Sequence, residues 1–144
     1  MARLPRQIGG TLVLDAEGLV KLAANHPRAY ARVKAARNRN GLVVTAASTL
    51  AEVLRGGPGD APLHRVLGQI TVIPIDKQQG RAAGELLGRT GLSGHRCALD
   101  ALLAVIALDQ PRPVVVLTSD PRDLGRLTEE PGIRKGVGVE IARI

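Results

Sequence analysis

Short apolar runs at 11–14, 41–45, 70–74 and 114–117 each hand over to a helical stretch, and this alternation constrains the fold more than any other feature of the chain. Neighbouring parallel strands need a crossover of about a dozen residues or more, usually a helix. Strands separated by helices therefore imply a mostly parallel sheet with helices on both faces. The expected architecture is α/β, with three layers and four or five strands. The fifth strand is expected at 137–141, on an edge. Helices are expected over 16–24, 28–38, around Leu50, Val53 and Leu54, and over 62–67, 77–89, 97–108 and 121–127. Asn25-His26-Pro27 should end the first of them, because proline disfavours helical geometry in the residue before it. Ser48 or Thr49, Asp60 and Asp76 stand where helix N-caps are needed. Residues 1–10 read as a basic N-terminal tail, and 11–144 as one domain.

Composition limits the function classes. No apolar run is long enough to span a bilayer, and MARLPRQIGG lacks the apolar centre of a signal peptide. Cys97 is the single cysteine, which excludes an internal disulfide and fits a reducing cytoplasm. The 20 basic residues outnumber 13 acidic ones, giving a net charge of +7 that would attract a polyanion. Tyr30 is the only aromatic residue, which argues against modules that stack bases on aromatic platforms. Nucleic acid bound here would be held through phosphate contacts and shape.

Against that basic background, four acids fall at strand ends or on helices beside them. Asp15 closes TLVL, Glu52 lies in TLAEVLRG, Asp100 interrupts ALDALLAVIAL, and Asp120 follows VVVLTS. Residues beyond the carboxyl ends of parallel strands converge on one crevice. Carboxylates gathered there repel one another unless a cation sits among them. An all-oxygen set suits Mg²⁺ or Mn²⁺ better than zinc. Each acid also has an ordinary reading. Asp15 and Asp120 suit helix caps, Asp123 a first-turn charge, and Glu52 an exposed helical position. Asp100 is harder to place so, because a charge among buried neighbours needs a partner or an ion. His95 and Cys97 are too few for a tetrahedral zinc site. His26 and His64 read as loop or surface residues.

These segments resemble the PIN-domain nucleases, and within them the VapC-type toxins. The resemblance runs through LDAEGL, TLAEVLRG, LDALLAVIAL and VLTSDPRDL, nearly the whole chain. It implies a three-layer α/β/α PIN-like domain and a Mg²⁺- or Mn²⁺-dependent endoribonuclease. Its catalytic quartet would be Asp15, Glu52, Asp100 and Asp120, with Asp15, Asp100 and Asp120 holding the metal. Asp123, Thr118 and Glu17 are possible additions. Many relatives carry an acid where this chain has Cys97, which bears on a second metal position. Cys97 itself reads as a small residue packed beneath the site.

The implied reaction hydrolyses RNA phosphodiester bonds to a 5′-phosphate and a 3′-hydroxyl. Arg55, Arg96 and Arg122, each close in sequence to a quartet acid, are candidate RNA contacts, although a solvated surface role suits each as well. The resemblance also implies a cognate antitoxin and a homodimer. The first two helices would offer a groove for a partner helix. Two other classes stand beside the nuclease. Asp15-Ala16-Glu17-Gly18 approaches the D-x-D-G nucleophile motif of haloacid-dehalogenase-like phosphatases, but its second acid is Glu and no threonine follows. A non-catalytic PIN scaffold binding RNA or protein would not need an intact quartet.

Overall fold

The computed structural model describes residues 9–133 and 137–144. Five parallel strands form one sheet in the order β3-β2-β1-β4-β5. They are β1 (Thr11–Leu14), β2 (Leu42–Ala46), β3 (Thr71–Ile73), β4 (Val114–Thr118) and β5 (Val139–Arg143). Helices α1 (Ala16–Ala23), α2 (Pro27–Asn38), α3 (Leu50–Val53) and α4 (Ala61–Leu67) connect the first three strands. Helices α5 (Lys77–Thr90) and α6 (Gly94–Leu108) cross over to β4, and α7 (Pro121–Leu127) precedes β5. The sheet is wholly parallel, and β5 lies on an edge two residues beyond its expected start. The expected basic tail falls outside the described residues apart from Gly9 and Gly10.

Alternation along the strands sorts the core into two layers. Val13, Val44, Val114 and Val116 pack with Ala83, Ala101, Leu103, Ile106, Leu124 and Leu127 of α5, α6 and α7. Leu12, Leu14, Val43 and Leu117 pack with Leu19, Ala29, Val33 and Ala36 of α1 and α2, with α4 completing that layer. Leu12, Val13 and Leu14 are each at most 1% exposed. Full burial of such side chains stabilises by about 1.5–3 kcal/mol each. A strand buried on both faces reads as the unbroken apolar run found at 11–14. No single helix among the described residues is long and apolar enough to cross a membrane.

Local chemistry explains most boundaries. Asp76 and Gln79 form a reciprocal capping box at α5, with N···O distances of 3.0 and 2.8 Å. Gly91, left-handed at φ 70°, ends that helix. Helix α6 begins at Gly94, three residues before its expected start, because the Ser93 hydroxyl accepts the Arg96 amide at 3.4 Å. Neither Ser48 nor Thr49 caps α3 through its side chain. A 3₁₀ turn over Ala47–Thr49 runs straight into the helix, so Thr49 is already helical (φ −65°, ψ −27°) and lacks the extended geometry of a cap.

Asp60 also departs from expectation. It makes no side-chain cap to α4. Its Oδ2 instead accepts the amides of Arg55 at 2.9 Å and Gly56 at 2.8 Å, which closes the loop following Glu52. Those two amides hold the Asp60 carboxyl below its ordinary value, Gly56 most of all. A depressed native pKa contributes stability that is present above the unfolded value and lost as pH falls through the native one. Asp60→Asn is therefore expected to lower the melting temperature at neutral pH. The gap from the unsubstituted protein should close as pH falls below 3.8, the carboxyl's ordinary value. A pH series of thermal melts checks both features.

Candidate active site

In the strand order, the chain leaves β1 toward β2 and β3 on one side and returns to β4 on the other. The crevice of such a sheet opens beyond the carboxyl ends of the two strands at this switch. Here these are the ends of β1 and β4, from which Asp15 and Asp120 follow. The Asp15 amide donates to the Leu117 carbonyl at 3.4 Å, tying one acid-bearing turn to the other strand. The Thr45 hydroxyl, fully buried, donates to the Leu14 carbonyl at 2.7 Å and fixes the end of β1.

Both turn acids also cap helices. Asp15 Oδ1 accepts the Gly18 amide at 2.7 Å, and Asp120 Oδ1 accepts the Arg122 amide at 3.4 Å. The plain reading of these residues and the functional one are thus compatible, since each cap engages only one of the carboxylate's two oxygens. Gly18 sits where a Cβ would come 3.0 Å from the Leu117 carbonyl oxygen. The absence of a side chain at Gly18 therefore lets α1 start close to β4. Thr118 orders the other turn: its hydroxyl accepts the Asp120 amide at 3.1 Å.

Electrostatics shows which acids share the crevice. Burial pushes the Asp100 carboxyl above its ordinary value, and Asp123, Asp15 and Asp120 push it further. Glu52 is raised by partial desolvation and then by Asp100 and Asp15. Asp15 is raised mainly by burial, with a smaller push from Glu17, while the Thr118 hydroxyl and the Gly18 amide pull it back. Asp15 and Asp100 therefore form the centre, with Glu52 on one flank and Asp120 and Asp123 on the other. Arg112–Glu130 is the only side-chain ion pair among the described residues, and no arginine or lysine neutralises this cluster.

Cys97 lies one turn before Asp100, buried at 5% exposure, with its thiol 3.7 Å from Asp123 Oδ2. Burial, then the charge on Asp123, raises the thiol's pKa, so it stands as a neutral donor beneath the acids. Glu17 is exposed on the first turn of α1.

The arginines chosen for closeness in sequence fare unevenly. Arg55 turns back on its own helix, donating to the carbonyls of Ala51, Glu52 and Leu54 at 2.7–3.1 Å. Arg96 and Arg122 are exposed near the starts of α6 and α7. His64 and His95 are exposed. His26 is partly buried before α2, with its Nδ1 enclosed and without a hydrogen-bond partner among the described residues.

A hard divalent cation suits an all-oxygen cluster that raises its own pKa values and has no counter-charge among the described residues. No three His, Cys, Asp or Glu side chains among the described residues converge closely enough to hold an ion as they stand.

The strand order, the layers and the crevice together define a three-layer α/β/α PIN-like domain. A solved chain from the VapBC2 complex of Rickettsia felis, crystallised bound to a DNA fragment from its promoter, has this fold. It superposes with a TM-score of 0.63 over 92% of this chain and 98% of that one, at 18% sequence identity. No protein-family model and no curated protein matches the chain.

Proposed function

We propose that this protein is a Mg²⁺- or Mn²⁺-dependent endoribonuclease and the toxin of a toxin–antitoxin pair. The observation that carries the reading is the mutual electrostatic influence of Asp15, Glu52, Asp100, Asp120 and Asp123, with no ion-pairing cation beside them among the described residues. The fold likeness to a chain of a VapBC complex supports the toxin assignment.

Asp15 and Asp100, at the centre, would hold the ion, with Asp120 completing the set through its uncapped oxygen. When bound, the cation supplies an acidified water and a counter-charge for the attacked phosphate. Glu52, its carboxyl raised by partial desolvation and then by Asp100 and Asp15, would be the residue suited to accept a proton from the attacking water. In-line attack would break the P–O3′ bond, leaving a 5′-phosphate on one fragment and a 3′-oxygen that takes a proton from solvent to become the hydroxyl of the other. Asp123 is held by the Cys97 thiol and orders the flank beside Asp120.

Helices α1, α2 and α4 enclose a groove of about 360 Å³ lined by Leu22, Tyr30, Val33, Val66 and Ile70. Tyr30 is 58% exposed there. This groove suits an antitoxin helix with apolar anchors at helical spacing. A homodimer and a cytoplasmic setting belong to the same reading.

Purified protein with single-stranded RNA should give fragments bearing 5′-phosphates in Mn²⁺ or Mg²⁺ and none in chelator. In a bacterial host, expression should stop growth, and co-expression of the adjacent upstream gene should restore it. Phosphate trapped covalently on Asp15 would instead mark a haloacid-dehalogenase-like phosphatase. Soluble protein without cleavage or growth arrest would leave a non-catalytic scaffold as the better account.

A further inference from the structure

We propose that Arg28, Arg32 and Arg143 form a track for the RNA backbone leading to the acid cluster; this rests on the nuclease reading above. The three arginines line one groove of about 460 Å³ with Ala31, Ala35 and Leu117. Arg28 and Arg32 are one turn apart on α2, and Arg143 ends β5. Its strand register sets Arg143 beside Thr118, whose hydroxyl holds the Asp120 amide. Leu117, on the groove wall, also receives the Asp15 amide on its carbonyl. The groove thus adjoins the turns that carry two of the acids.

Five of the ten other described guanidinium groups are committed. Arg37, Arg39, Arg55 and Arg126 donate to main-chain carbonyls, and Arg112 pairs with Glu130. Arg28, Arg32 and Arg143 make no such bond among the described residues and have no carboxylate partner. Three like charges around one groove are best satisfied by an evenly charged polyanion. Guanidinium groups match phosphate oxygens in geometry as well as charge. The small walls at Ala31 and Ala35 leave room for a backbone, and the single aromatic residue of the chain is not among the lining. The groove therefore suits a phosphodiester chain held without base stacking.

The test measures binding of labelled single-stranded RNA to full-length Asp100→Asn protein across a salt series. The comparison is the same protein carrying Arg28→Gln, Arg32→Gln and Arg143→Gln. A second triple, Lys77→Gln, Arg81→Gln and Arg89→Gln on the opposite layer, makes the same charge change away from the groove. Circular dichroism confirms that each variant is folded, and single Arg→Gln variants replace the triple if it is not. The groove triple should weaken binding about tenfold or more near 0.1 M salt and flatten the slope of log affinity against log salt by about 2, as loss of three single-strand phosphate contacts requires. The α5 triple should leave the slope nearly intact. Equal slopes for the two triples, with the Asp100→Asn parent binding RNA, would overturn the track and leave the nuclease reading standing. A parent that binds no RNA would overturn both.

Discussion

Asp100→Asn is expected to reduce metal-dependent RNA cleavage by more than about 100-fold, since even an outer partner of a metal ligand costs 10–100-fold when lost. The same substitution should make the metal-free protein more stable. Asp100 is raised by burial and by three neighbouring carboxylates, so ionising it costs folding free energy at neutral pH. Its partial exposure screens that cost to about 1 kcal/mol or less, a gain of roughly 2–5 °C in melting temperature for a domain of this size. Activity and stability therefore move in opposite directions. An asparagine variant that is inactive and also less stable would indicate a structural role instead.

Mn²⁺ or Mg²⁺ should stabilise the protein strongly, and more so as pH rises. The free energy gained is about 2.7 kcal/mol when the ion is at 100 times its dissociation constant. The pH dependence follows from Asp15, Glu52 and Asp100, all raised above ordinary values of 3.8, 4.5 and 3.8. Groups with raised native pKa values contribute stability that is present below the unfolded values and lost as pH rises through the native ones. In chelator this contribution should decline as the pH is raised from about 4 toward neutrality. Protons compete with the cation for the same oxygens, so the metal-induced shift should be larger at pH 7.5 than at pH 5. Asp60, with its depressed carboxyl, pulls the opposite way at low pH. Subtracting the melts of Asp100→Asn isolates the cluster. Equal metal-induced shifts in the two proteins would place the ion elsewhere.

What was legible in the sequence depended on how local its cause was. The Asp76 cap lies within one helical turn of the amide it receives, so propensity and position were enough to place it, while the reciprocal bond from Gln79 came from the structure. The central strand at 11–14 was legible because burial on both faces writes an unbroken apolar run. Asp60 was misplaced because it faces backward, to amides that precede it, and the sequence does not state that direction. Arg55 shows the same limit for the site. It is three residues from Glu52, yet its guanidinium turns back to the main chain. Arg143 lies 25 positions from Thr118 in sequence and beside it in the sheet, a register that only the packed strands define. Asp15 and Asp120 were legible as neighbours because the ends of adjacent parallel strands at the switch point share a crevice, whatever the connecting helices do.

Asp15 and Asp120 hold the starts of α1 and α7 as well as facing the crevice, whereas Asp100 stands within α6 and caps nothing. A cap of this kind is worth about 1 kcal/mol to the fold. Selection on folding alone would thus preserve Asp15 and Asp120, while Asp100, whose ionisation burdens the fold, would be the first to drift. An acid kept at the mid-helix position is accordingly the better marker of selection on the crevice itself than either acid at the strand ends.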